Sequence, residues 1–211
     1  MTQRIDLAMQ PEEERERRDA AANRALLLET AARLFAERGV AAVSMAEIAQ
    51  QAGVGKGTLY RRFAHKGEIC LGLMNNQLKA FQDEQLDTLR QMSAAGEPYL
   101  GQLAHFLQAL VAFTEEHMPL LCEVQQYSQH TENENLERPH FWQYLTVYGL
   151  LREARRAGEV DADLDAAFTA EATLAPLIAH TYRFQRERLG FTPERIGDGL
   201  TRLVQNLNGK S

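Results

Sequence analysis

Two short helical patterns flank the glycine turn Gly53-Val54-Gly55, and that arrangement leaves the chain few architectures. Ser44-Met-Ala-Glu47 reads as a capping box, in which the Ser44 hydroxyl accepts from the Glu47 amide and the Glu47 carboxylate reaches back. The helix it opens directs Met45, Ile48, Ala49 and Ala52 inward and stops at Gly53. A second pattern restarts at Thr58, with Leu59 and Phe63 four residues apart on its packing face. Two short helices around such a turn form a helix-turn-helix. The second helix of that motif rests on supporting helices through one face and offers the other to a major groove. Lys56, Gly57, Thr58, Tyr60 and Arg61 fall on its start and open face. Gly55 and Gly57 let backbone approach a phosphate closely, while Lys56 and Lys66 neutralise charge.

The remaining periodicity is helical too. Leu27, Leu28, Ala31, Leu34 and Phe35 share one face of a helix that ends at Arg38-Gly39, a terminal cation followed by a helix-ending glycine. Ile69 to Met92 predicts a long helix closing near Gly96, and Leu100 to Val111 marks the next. Pro119 is expected to open a separate short helix as far as Gln129, because proline suits a first helical turn. Thr131 to Arg138 reads as a loop, and Pro139 to Ala157 as a helix closed by Gly158. Asp161 or Asp163 is expected to cap a helix carrying Leu164, Phe168, Leu174, Ile178 and Tyr182. Thr192-Pro193-Glu194 opens the last helix, with Ile196, Leu200, Leu203, Val204 and Leu207 inward. No run sustains period-two alternation, so the fold class is all-α.

A net charge of −6 hides an asymmetry. Residues 1–67 carry 11 Lys/Arg against 9 Asp/Glu, and residues 68–211 carry 12 against 20. Gly53 to Gly67 holds Lys56, Arg61, Arg62 and Lys66 with no acid, a local field that suits a polyanion whatever the total. No apolar run approaches the ~18 residues of a membrane span. The N-terminal MTQRIDLAMQPEEERERR lacks the apolar core of a signal peptide, so a cytoplasmic protein with no membrane partner is expected. Cys70 and Cys122 make neither a disulfide framework nor a clustered metal site. Gly53-Val-Gly-Lys-Gly-Thr58 fails as a phosphate loop, since its Lys precedes the last Gly and a helix precedes the turn. Glu137-Arg-Pro-His140 supplies one E-x-x-H where a di-iron bundle needs two, and His117 with Cys122, at i and i+5, shares a ligand face poorly. No catalytic constellation emerges, so no enzyme, cofactor or metal is expected.

The stretch LLLETAARLFAERGVAAVSMAEIAQQAGVGKGTLYRRFAHKGEICLGLM, Leu26 to Met74, resembles the TetR family of transcriptional regulators. The resemblance lies in an A-x-x-L-F helix, a Gly39 end, a Ser44-capped I-A-x-x-A-G-V helix, a G-T-L-Y-x-x-F helix and the following Lys66. It implies groove contacts from Thr58, Tyr60 and Arg61. It likewise implies phosphate contacts from Ser44 and Lys66, with the supporting helix N-terminus near Met45 at the DNA. The architecture implied is an N-terminal three-helix helix-turn-helix DNA-binding domain plus a C-terminal helical ligand-binding and dimerisation domain.

The expected division is a charged arm at 1–22, the DNA-binding domain at 23–67, and an effector-binding and dimerisation domain at 68–211. Aromatics and occasional polar groups concentrate in the middle helices of the last, and a pocket there has Phe106, Phe113, Cys122, Gln126, Trp142 and Tyr148 as candidate lining. Phe168, Leu174, Ile178, Leu200, Leu203 and Leu207 are expected to pair across a homodimer axis. The function expected is a one-component repressor, released from a palindromic operator on double-stranded DNA by a small apolar or aromatic effector. The alternatives are an activator of the same fold, a nonspecific DNA binder, and a small helical enzyme using the aromatic pocket.

Overall fold

The structure is a computed structural model that describes residues 10–128 and 134–207, with side chains described for 14–126 and 141–207. The described residues form nine α-helices and no strand: α1 (Gln10–Arg38), α2 (Met45–Gln51), α3 (Lys56–Arg62), α4 (Lys66–Ala94), α5 (Tyr99–Ser128), α6 (Glu134–Arg156), α7 (Ala166–Leu174), α8 (Ala179–Glu187) and α9 (Pro193–Gln205). A 3-10 turn, Ala175–Leu177, joins α7 to α8. They form two compact units, divided between Leu73 and Met74 inside α4. The all-α architecture read from periodicity is the one observed.

The first unit is built on α1, whose Leu27, Ala31, Leu34 and Phe35 are buried, together with Ile48 and Ala49 of α2, Leu59 and Phe63 around α3, and Ile69 and Cys70 of α4. Each fully buried large aliphatic or aromatic side chain contributes about 1.5–3 kcal/mol. The Arg24 guanidinium lies 5.2 Å above the Phe63 ring. The polar stretch before Asn23 continues α1, which starts at Gln10, and residues 14–19 of it are exposed.

In the second unit α5 is central and packs against α6, α8 and α9, while α6 packs against α7. Leu103, Phe106, Leu107 and Leu110 of α5 meet Val147 and Leu151 of α6, Tyr182 of α8, and Ile196, Leu200 and Val204 of α9 in one core. Two polar ties pin these helices. The Glu159 carboxylate accepts from the Tyr99 and Leu100 amides, both at 2.8 Å, and so caps α5 from 59 and 60 residues away. Glu115 accepts from Arg186 through both carboxylate oxygens at 2.8 Å and from the Tyr182 hydroxyl at 2.9 Å.

Five expectations are corrected. Pro119 lies inside α5 and does not start a new helix. Its missing amide costs about 3 kcal/mol, but Phe113, His117, Cys122 and Val124 are buried on either side of it and hold the helix as one element. Positions 134–138 are helical, not loop. Positions 131–133 lie outside the described residues, as do the side chains of Glu137 and His140.

The cap of α7 is Asp165, not Asp161 or Asp163; its Oδ1 accepts from the Ala167 and Phe168 amides at 3.1 Å. The helix expected to run on to Tyr182 breaks because Pro176 has no amide to donate, and Ile178 turns out to ψ 128° before α8 begins. Finally, the apolar residues assigned to one dimer face divide between two environments. Leu174 and Leu200 are buried in the chain's own core, whereas Phe168 and Leu203 are 71% and 61% exposed.

Candidate functional site

The α2–turn–α3 segment is held from several sides. The Ser44 hydroxyl accepts from the Glu47 amide at 3.3 Å, one half of the capping box. Arg38 at the end of α1 pairs with the Glu47 carboxylate and donates to the Ala42 carbonyl at 3.3 Å. The Arg38 hydrogen bond is the main reason the Glu47 carboxyl sits below the usual carboxylate range, with the Ser44 amide adding to it. The turn closes through Gly53, whose φ of 67° is a left-handed conformation that a Cβ would strain. The Lys66 ammonium donates to the Val40 carbonyl at 3.0 Å and the Val43 carbonyl at 3.3 Å, tying the start of α4 to the loop before α2.

This framework sets which side chains of α3 point out. Leu59 and Phe63 are 0% and 2% exposed and anchor the helix. Lys56, Gly57, Tyr60 and Arg61 are exposed and Thr58 is half-buried; the Arg61 guanidinium donates to the Thr58 hydroxyl at 3.2 Å. A Cβ built on Gly55 or Gly57 would meet open space, so the backbone there is accessible. Beside α3 runs an open groove lined by Ser44, Ala46, Glu47, Ala49, Gln50, Val54 and Lys56. Ser44 is exposed and Met45 half-buried at its edge. The surface displays cations, a hydroxyl and one phenol on a short, rigidly supported helix. Lys66 differs from the rest, since its charge is directed at backbone carbonyls.

The candidates on the middle helices do not all converge. Phe106, Phe113 and Trp142 come together around Phe81 of α4, a ring the sequence reading passed over. Phe81 stacks on Phe113 at 4.6 Å and meets Trp142 edge-on at 6.1 Å, and Trp142 meets Phe106 edge-on at 5.5 Å. His117 extends the column, stacked on Phe113 at 4.3 Å with Nδ1 3.0 Å from the Phe113 carbonyl. Tyr148 is elsewhere, stacked on Tyr144 at 5.8 Å with the Arg152 guanidinium above it. The Cys122 thiol donates to the Ala179 carbonyl at 3.7 Å, and burial pushes its pKa up. Gln126 is exposed. The missed ring had a signal: Leu78, Phe81, Leu89 and Met92 make an apolar stripe on α4 at helical spacing. No cluster of three or more metal-ligating side chains occurs among the described residues.

Comparison with known proteins places this geometry. Residues 27–72 match the profile of "Bacterial regulatory proteins, tetR family". An HTH-type transcriptional regulator of Staphylococcus aureus (strain bovine RF122 / ET3-1) is 43% identical over 65 residues, which are 31% of this chain and 35% of that protein. The match thus spans about a third of the length of such curated relatives. Thermus thermophilus FadR, a TetR family transcriptional repressor solved in complex with lauroyl-CoA, superposes with TM-score 0.64 at 18% identity. That alignment covers 86% of this chain and 92% of FadR, and the likeness is one of fold. The ketosteroid transcriptional regulator KstR2 of Mycobacterium tuberculosis superposes with TM-score 0.54 at 25% identity, covering 87% of this chain and 93% of KstR2.

Proposed function

Because this chain belongs to the tetR family of bacterial regulatory proteins, we propose that it is a dimeric one-component transcriptional regulator, a repressor whose hold on a palindromic operator is released by a small effector. The observation that carries this reading is α3, anchored by Leu59 and Phe63 while Lys56, Tyr60 and Arg61 stay exposed. Thr58, Tyr60 and Arg61 read the major groove, Lys56 and Ser44 meet phosphates, and Gly57 lets the backbone close in. Lys66 acts through the loop it tethers, which sets the position of Ser44. In the dimer the two α3 helices enter successive grooves about 34–36 Å apart. The domains are residues 23–67 for DNA and 68–211 for effector and dimerisation. No described helix is long and apolar enough to cross a membrane, and a cytoplasmic regulator without catalytic activity fits that.

The effector is apolar or aromatic and is taken up at the ring cluster of α4, α5 and α6. FadR of Thermus thermophilus in complex with lauroyl-CoA and FadR of Bacillus subtilis in complex with stearoyl-CoA share this helical architecture, which supports a unit of this shape accepting apolar ligands. By linkage, operator and effector weaken each other's binding by the same factor. The test is selection of duplexes from a random pool by the purified full chain. A palindromic consensus is expected, bound with a steep salt dependence. Tyr60→Ala is expected to change the consensus as well as the affinity. Retention of no preferred sequence, or identical selection by Tyr60→Ala, would overturn the placement of α3.

A further inference from the structure

Gln85 stands out on the apolar stripe of α4. It lies one turn after Phe81 and one turn before Leu89, at i+4 from each neighbour, so all three share a helix face. Its side chain is 5% exposed, and its Oε1 has no hydrogen-bond partner among the described residues. A buried carbonyl oxygen left unpaired is destabilising, and native proteins pair such groups unless a ligand, water or function accounts for them. The neighbouring face is apolar and aromatic. Phe81 is the hub of the ring cluster, in contact with Phe106, Phe113 and Trp142. At the far end of the ring column, His117 Nδ1 lies 3.0 Å from the Phe113 carbonyl.

We infer that Gln85 is the polar anchor of the effector site, and that the effector is an apolar, ring-bearing molecule presenting a hydrogen-bond donor such as a hydroxyl. This rests on the effector-responsive reading of the second unit and narrows it. An unpaired acceptor rewards a hydroxyl or N–H and penalises a carboxylate or ether oxygen placed against it. The rings define the body of the ligand, and Gln85 defines its one polar end.

The test uses a matched pair of probes, 4-hexylphenol and its methyl ether 4-hexylanisole, titrated into the full chain. The fluorescence of Trp142, the single tryptophan, is the readout. The wild type is expected to bind the phenol about tenfold more tightly than the ether, the worth of one good hydrogen bond. Gln85→Leu, close in size, is expected to bind both alike and to melt at the same temperature as wild type or higher. Three results overturn the inference: neither probe binds the wild type, the phenol preference survives in Gln85→Leu, or that variant melts more than about 4 °C lower. The last would make the amide a structural partner of groups outside the described residues. Selection of operator DNA by the wild type judges the regulator reading separately, so the two failures are distinguishable.

Discussion

Single residues in this molecule divide into those that support the outward-facing helix and those that it displays. Lys66 belongs to the first kind despite its charge, since its ammonium satisfies two carbonyls of the loop that carries Ser44. Hydrogen bonds to a charged group contribute more than neutral ones, and this half-buried pair is worth about 1–2 kcal/mol. Lys66→Ala is therefore expected to lower the melting temperature by roughly 3–6 °C, measured by thermal circular dichroism. Its operator affinity should fall through displacement of Ser44. Tyr60→Ala, at a side chain 51% exposed, is expected to leave stability within about 0.5 kcal/mol of wild type in the same melt.

At the scale of the helices, α5 carries the largest internal conflict. Pro119 is exposed and denies the Glu115 carbonyl its helical donor. Pro119→Ala restores that bond, a gain of about 3 kcal/mol, offset by about 1 kcal/mol from the freer unfolded chain. The expected result is a urea midpoint shifted upward, equivalent to about 2 kcal/mol, and an unchanged or lower midpoint contradicts it. The tie between α5 and α8 has a pH signature. Hydrogen bonding to Arg186, and then to the Tyr182 hydroxyl, holds the Glu115 carboxyl below its ordinary value of 4.5. Its folded pKa is thus lower than its unfolded one. The stabilisation is complete above about pH 4.5 and is lost as pH falls through the lower folded value. Glu115→Gln should lower stability at pH 7 by about 1–2 kcal/mol. It should also flatten the acid limb of a stability-against-pH curve; an unchanged acid limb would show that the tie carries no pH dependence.

For the whole molecule the decisive question is which apolar residues the chain keeps for itself. Leu200 is 2% exposed and Leu203 61% exposed on the same helix, and Phe168, Phe184 and Leu189 are also exposed. A second copy of the chain is the proposed cover for the α9 face, in an isologous interface. Leu203→Glu is expected to yield a folded monomer in sedimentation, with operator affinity reduced. Leu200→Glu buries a charge in the core and is expected to abolish cooperative melting altogether. A Leu203→Glu protein that remains dimeric would move the interface elsewhere.

The local signals of the amino-acid sequence determined the elements that are closed by their own residues. Ser44 and Glu47 cap α2 within four positions, Gly53 takes the left-handed conformation that closes the turn, and Leu59 with Phe63 fixes which side of α3 is buried. All of that chemistry acts between residues close in the chain, which is why the helix-turn-helix was legible there. The outcome at Pro119, the break at Pro176, the cap at Asp165 and the exposure of Leu203 depended on partners distant in sequence. Periodicity gives an apolar stripe but not the area available to cover it, so Leu200 and Leu203 read alike until α5 packed against only one of them. The same holds for Gln85, an unremarked polar residue in the sequence. Only the tertiary packing that buries it without a hydrogen-bond partner among the described residues made its oxygen a feature that calls for a ligand.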